Sequence, residues 1–385
     1  MILNPTRQDR ESLSSDQVHD AVEHILLDTF PEIVINGYDY SENDMWDVLL
    51  YASTNRISIN ATCDKLPGAP SCNWIYTFVK QEVLNRYGME GIERKANESL
   101  EDSLPKGLTR SKQKLAVDLV LIPYYGDEAT AGVYRSEAKS GTTKFFCFAS
   151  AYVIKKNKRA TICITFVHPG DKLLNVLTRL LSRVEELGIR IKRLLLDRQF
   201  AQVAVIRHLS EKPYVSIIAV PKRGKTMKAL LHGKKSYRTP YTMRSPEHGE
   251  ISFPLLIVCR YQKGKAKKHG VEYLTFAVIG ECKSCELQIA EEYRQRFGIE
   301  SSYRMMNQVR ARTTSRKKEL RLLLVAMAFL LQNIWIWYKW NTAIICRKIK
   351  LRFTLTLDIF AQFINHAVEK LFGTLGSINL NAQLR

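Results

Sequence analysis

From Leu115 to Ile122 the chain reads Leu-Ala-Val-Asp-Leu-Val-Leu-Ile, an apolar run broken once, by Asp118. A run this short and this apolar reads as a strand buried within a sheet. The carboxylate inside it is conspicuous, because an unpaired charge is costly to remove from water. Further strands are expected at 144–153 and 160–167. A helix follows from about 172 to 187, after the Pro169-Gly170 break, and then a strand at 191–196 whose Leu194-Leu195-Leu196 stops at Asp197. A helix at 202–209 and strands at 215–220, 251–259 and 271–279 complete the pattern. Three strands, helix, strand, helix, strand is the order of an α/β mixed sheet flanked by helices on both faces.

Upstream, residues 16–52 read as helical, with Val18, Val22, Ile25 and Leu26 at helical spacing and breaks at Phe30-Pro31 and Asn36-Gly37. Segments 58–66 and 73–84 flank a Pro67-Gly68 turn and read equally as a helix-turn-helix or as a plain helical hairpin. Downstream, the apolar stretch 322–331 is interrupted at Gln332-Asn333. It is too short to span a bilayer, so a buried core helix is expected, and no membrane partner.

The formal net charge of +20 is unevenly spread. Residues 1–100 hold 8 Lys/Arg against 16 Asp/Glu, net −8, while the remaining 285 hold 50 against 22, net +28. Residues 221–270 concentrate 13 Lys/Arg, among them Lys222, Arg223, Lys225, Lys263, Lys265, Lys267 and Lys268, against Glu247 and Glu250 alone. One sign at this density fits a polyanion partner better than a solvated loop. The acidic balance of 1–100 argues against a strong phosphate-binding surface there. Among eight scattered cysteines, Cys282 and Cys285 have a CxxC spacing without the second pair or the histidines that would complete a tetrahedral zinc site. Free thiols and a start, Met1-Ile2-Leu3-Asn4-Pro5, that lacks a basic and apolar leader lead us to expect a cytoplasmic location.

Tyr293, Arg296, Glu300, Arg304 and Asn307 recur at steps of three, four, four and three, which places them on one polar stripe of a helix beside Ile299, Tyr303 and Met306. If Glu300 meets Asp118 and Asp197 within roughly 5 Å, each pair of carboxylates repels by about 3 kcal/mol at an effective dielectric of about 20. Such groups converge only around a cation. Hard oxygen donors without clustered histidine or thiolate select Mg²⁺ or Mn²⁺.

Asp118 in a strand, Asp197 in the sequence Asp-Arg-Gln-Phe, and Tyr-x-x-Arg-x-x-x-Glu at Tyr293, Arg296 and Glu300 together resemble the DDE-type insertion-sequence transposases of the insertion-sequence-four kind, over about residues 110–340. The resemblance implies a ribonuclease H-like core. Its first part would be 111–220 and its second part, with the Glu-bearing helix, 286–345. Around it would lie a helical N-terminal domain at 1–110, a basic strand-rich insertion at 221–285 and a helical tail at 346–385. It implies Asp118, Asp197 and Glu300 as catalytic residues and as ligands of two Mg²⁺ or Mn²⁺ ions. Tyr293, Arg296, Arg198, Arg304, Arg310, Lys222, Arg223 and Lys225 would lie against DNA. The partners implied are double-stranded DNA, as transposon ends and target, and a second copy in a homodimeric active complex on a prokaryotic nucleoid. The chain departs from the family at Asn307, where a lysine is usual, so Arg304 or Arg310 would take over its phosphate contact. All five tryptophans lie outside the insertion, which leaves Tyr237, Tyr241 or Tyr261 to hold a flipped base. Two other readings of the same residues are a DNA-binding regulator without catalysis and a structure-specific nuclease on the same core.

Overall fold

The structure is a computed structural model that describes residues 13–35, 39–155, 159–261, 270–348 and 354–373. The start at Met1, the break read at Asn36-Gly37, and Lys263, Lys265, Lys267 and Lys268 lie outside the described residues. The chain forms two compact units, one of Met1–Pro105, Ile122–Phe146 and Tyr303–Arg385, the other of Lys106–Leu121 and Cys147–Ser302. In chain order the first helices are α1 (Ser15–Thr29), α2 (Glu42–Asn55), α3 (Ile59–Lys65), α4 (Cys72–Phe78) and α5 (Arg86–Asp102). Strands β1 (Gln113–Pro123), β2 (Tyr134–Lys139), β3 (Thr142–Val153) and β4 (Thr161–Val167) precede α6 (Leu173–Glu186), β5 (Ile191–Leu196), α7 (Val203–Ser210) and β6 (Val215–Ala219). Then come α8 (Lys225–Leu230), β7 (Tyr237–Ser245), β8 (Gly249–Tyr261), β9 (Val271–Ile279), α9 (Glu286–Arg294), α10 (Phe297–Met306), α11 (Lys318–Lys348) and α12 (Leu357–Phe372).

The sheet runs β2-β3-β1-β5-β6-β9-β8-β7, with β4 also paired to β3. Strands β1, β5 and β6 are parallel, whereas β3 with β4 and β6 with β9 are antiparallel. Parallel strands are covered on both faces and so read as continuous apolar runs. Leu115, Ala116 and Val117 of β1 and Leu194, Leu195 and Leu196 of β5 are all fully buried. The succession β4-β3-β1-β5-β6, mixed in direction and flanked by helices, is the fold class expected from the sequence. The basic segment continues this sheet through β9, which pairs with β6 at Ile217 and Val278. Apolar, buried residues Leu255 to Val258 on β8 and Phe276 to Ile279 on β9 make that continuation favourable. Two strands escape a hydrophobic reading. Mostly exposed, polar β2 holds Ser136, Glu137 and Lys139, and β7 alternates half-buried and exposed residues around Pro240.

The helical unit does not end at residue 105, because later helices belong to it. Helix α12 meets α2 through the Asn365 side chain, whose Oδ1 accepts from Thr54 Oγ1 at 2.5 Å and Asn55 Nδ2 at 2.8 Å. Tyr51 donates to Glu369 at 2.8 Å. Along α11 the expected core helix is present, with every residue from Leu320 to Trp335 buried. The interrupting Asn333 is itself buried and donates to Ser103 Oγ at 3.0 Å. Sequence spacing cannot reveal such partners, which lie hundreds of residues away. Helices α3 and α4 flank a short connection, and α4 runs on through a π-helical turn, Val79–Asn85, into α5.

One buried ion pair joins α1 to α2. His19 Nε2 lies 2.5 Å from Asp47 Oδ1, and both side chains are 4% exposed. Burial alone would lower the His19 pKa, but the hydrogen bond to Asp47 and that carboxylate's charge outweigh it and hold the imidazole at about 9. Burial raises Asp47 as well, so the pair keeps its shared proton to alkaline pH. Unfolded histidine titrates near 6.5. A raised folded-state pKa contributes stability that is fully present below pH ~6.5 and is lost as pH rises through ~9. Urea unfolding is therefore expected to show a loss of about 1–3 kcal/mol between those values. His19→Gln should flatten that slope; the same slope in the variant would assign it to other groups.

Candidate active site

Two of the three carboxylates are placed by strand register. Val117 of β1 stands level with Leu196 of β5, so Asp118 and Asp197 each follow the last paired residue of neighbouring parallel strands. Asp118 Oδ1 accepts from the Leu119 amide at 2.9 Å. Asp197 opens a 3₁₀ turn, Arg198–Phe200, yet its side chain makes no capping hydrogen bond. That carboxylate is left to face the site.

The third comes from α10. The polar stripe read as one helix is two: α9 ends at Arg294, and α10 starts at Phe297. Between them the amides of Arg296, Gly298 and Ile299 bond carbonyls three residues back, at 2.9, 3.0 and 2.8 Å. Glycine at 298, a weak helix former, sits just past the break. Glu300 lies one turn into α10 with its side chain 44% exposed.

Arg296 joins all three acids. Its Nη1 donates to Asp118 Oδ2 at 2.6 Å, and its Nη2 donates to Glu300 Oε1 at 3.0 Å and lies 3.5 Å from Asp197 Oδ1. The residue is 5% exposed, and its Nε is buried without a hydrogen-bond partner. The guanidinium carbon lies 5.6 Å from the Tyr293 ring centroid and 5.5 Å from that of Phe297. Burial lowers the proton affinity of Arg296, but the surrounding phenol and carboxylates reverse this and raise it further. Burial raises Asp118, Arg296 lowers it and Asp197 with Glu300 raises it again, leaving that carboxyl at about 6.

Outer contacts hold the strands and α9 in place. Tyr293 is buried, and its hydroxyl donates to the Leu196 carbonyl at 3.0 Å, immediately before Asp197. That contact differs from the DNA-facing role read from the sequence, because the hydroxyl is occupied inside the fold. Glu292 accepts from Lys114 of β1 at 2.8 Å and Arg193 of β5 at 3.2 Å. Nothing in the spacing of these three residues marks them. Beside Phe297, itself 51% exposed, opens a groove of about 580 Å³ lined by Arg198, Lys222, Arg260, Glu272 and Arg294. Arg223 and Lys225 are exposed nearby in sequence. Arg304 and Arg310 fall in the other unit. Arg304 is exposed, while Arg310 Nε donates to Asn307 Oδ1 at 3.0 Å, so the residue at the motif's lysine position engages an arginine.

Among the described residues, the group of three metal-ligating side chains whose donor atoms all lie within 4.8 Å is His19, Asp20 and Glu23. Asp118, Asp197 and Glu300 stand wider than that, with the Arg296 guanidinium in ion-pair distance of each.

No family model matches the chain, and no curated protein matches it. Among solved structures, one titled "Cryo-EM structure of piggyBac transposase synaptic complex with hairpin DNA (SNHP)" is similar in fold. The likeness has a TM-score of 0.60 at 12% identity and covers 96% of this chain and 82% of that one.

The hydroxyl of Tyr293 should be worth a measurable part of the fold. Tyr293→Phe leaves the Leu196 carbonyl without its donor and is expected to lower unfolding free energy by about 1–2 kcal/mol in denaturant titration. Unchanged stability would mean that the bond does not hold β5.

Proposed function

We propose that the chain is a DNA transposase that binds the terminal inverted repeats of a mobile element, cleaves strands at its ends and joins them to target DNA. The observation that carries this reading is the meeting of Asp118, Asp197 and Glu300, from β1, the end of β5 and α10, around one point. The fold likeness to a transposase captured with hairpin DNA supports it. Placement within the insertion-sequence-four group rests on Asp118 in its strand, Asp197 in Asp-Arg-Gln-Phe and the Tyr-x-x-Arg-x-x-x-Glu spacing.

A divalent ion fits the donor set. The three groups offer only carboxylate oxygens, and their three negative charges exceed the single charge of Arg296 by two, a deficit that hard cations match. Asp118, Asp197 and Glu300 would hold two Mg²⁺ or Mn²⁺ ions. When bound, such ions activate the attacking water or 3′-hydroxyl and stabilise the leaving oxygen of an in-line displacement.

The chain's own residues supply the rest. Arg198, Lys222, Arg260 and Arg294 give the groove beside the triad a positive lining suited to backbone phosphates, whose contacts position DNA without reading its sequence. Exposed Arg223 and Lys225 extend that surface. Two element ends must be cut together, so the active complex is a homodimer.

Asp118→Asn, Asp197→Asn and Glu300→Gln are each expected to lower Mg²⁺-dependent cleavage of a repeat-end duplex by at least about 10³-fold. DNA binding, measured in parallel by gel shift, should persist. Full cleavage by any of the three, or undiminished cleavage in chelator, would rule the assignment out.

A further inference from the structure

The guanidinium of Arg296 fills the position that a catalytic cation needs. Its two terminal nitrogens reach Asp118, Asp197 and Glu300 at 2.6, 3.5 and 3.0 Å, and a single nitrogen, Nη2, serves the last two. We propose that Arg296 is a built-in counter-ion that closes the three-carboxylate site in the free protein and is handed over to a DNA phosphate when divalent metal enters. The proposal rests on the reading of Asp118, Asp197 and Glu300 as metal ligands.

Three features of the site support an exchange rather than a permanent bridge. Asp118 Oδ2 is occupied by Arg296, while Oδ1 is held by the Leu119 amide, so neither oxygen of this carboxylate is without a donor until the guanidinium turns away. The buried Nε makes no hydrogen bond, so the ion pairs of the head run through the terminal nitrogens, the contacts that a metal ion would displace. The ring of Phe297 covers the guanidinium on one side and is half exposed toward the groove lined by Arg198, Lys222 and Arg294. An arginine released there joins groups suited to phosphate, and a guanidinium binds phosphate oxygens through paired, charge-assisted hydrogen bonds.

Exchange couples the two ligands. Metal entering without DNA must expel Arg296 with no new partner for it, whereas DNA offers that partner. Coupling between binding sites is reciprocal, so DNA tightens metal binding by the factor by which metal tightens DNA binding. The site then stays shut to Mg²⁺ until DNA is in place, so metal uptake follows binding of the substrate.

Mn²⁺ binding, followed by the electron paramagnetic resonance of the free ion, tests this without catalysis. In the wild-type protein a repeat-end duplex already cut at the element's end and closed with a 3′-deoxy terminus, so that it can be neither cleaved nor joined, is expected to tighten Mn²⁺ binding at least 10-fold. Arg296→Gln should bind Mn²⁺ at least 10-fold more tightly than wild type without DNA, and should lose most of the DNA-linked gain. Arg296→Lys, which keeps the charge, should stay within about 3-fold of wild type without DNA. Equal Mn²⁺ affinity with and without DNA in wild type overturns the proposal and does not depend on any variant folding. So does an Arg296→Gln protein that binds Mn²⁺ no better than wild type or keeps the full DNA-linked gain. Asp118→Asn separates the two levels: if Mn²⁺ binding is unchanged in it, the metal reading of the triad has failed. If binding is lost there but uncoupled from DNA in wild type, only the exchange has failed.

Discussion

One guanidinium bridges three carboxylates, from the middle of β1, the end of β5 and helix α10, and the surrounding architecture holds them there. Three carboxylates gathered around one point repel one another unless a cation sits among them. Arg296 provides that cation at the expense of a buried charge, which is tolerated because every acid around it is within ion-pair distance. Asp118 still feels the burial and its acidic neighbours, as its raised pKa of about 6 records.

Placement of those groups follows from ordinary secondary-structure physics. Parallel β1 and β5, apolar on both faces, fix Asp118 and Asp197 at the same level. Helix α9 is pinned to both strands by Glu292, through Lys114 and Arg193, and to the end of β5 by the Tyr293 hydroxyl. The tight turn after α9 then aims Arg296 at Asp118 and Asp197 and starts α10 at the angle that brings Glu300 in. Each link is local. Together they carry the carboxylates from positions nearly two hundred residues apart in the chain to one point.

Much of this arrangement is legible in the sequence. A lone aspartate in a strand as apolar as β1, and another where Leu194-Leu195-Leu196 stops, stand out because burial makes a carboxylate costly unless it has a task. The spacing of Tyr293, Arg296 and Glu300 finds the third acid, although it hides the break at Gln295-Arg296, since a tight turn keeps nearby residues on one side much as a helix does. The role of Arg296 is not legible: a pattern of spacings says which residues share a face, not which of several anions a cation will meet. Partners such as Lys114 and Glu292, 178 residues apart, or Ser103 and Asn333, 230 apart, leave no periodic trace. Strands β2 and β7 are missed or blurred because exposed edges do not need hydrophobic residues.

The charge distribution fits the same account. The acidic excess gathers in residues 1–100, where Asp20 and Glu23 stand beside the buried His19–Asp47 pair, whereas cations line the groove beside the triad. The most direct test of the central claim is anomalous diffraction from crystals of the DNA-bound protein grown in Mn²⁺. Peaks within coordination distance of Asp118, Asp197 and Glu300, with Arg296 turned away from Asp118, are the predicted result. Manganese confined to His19, Asp20 and Glu23, or absent from the triad while Arg296 still bridges the three carboxylates, would contradict it.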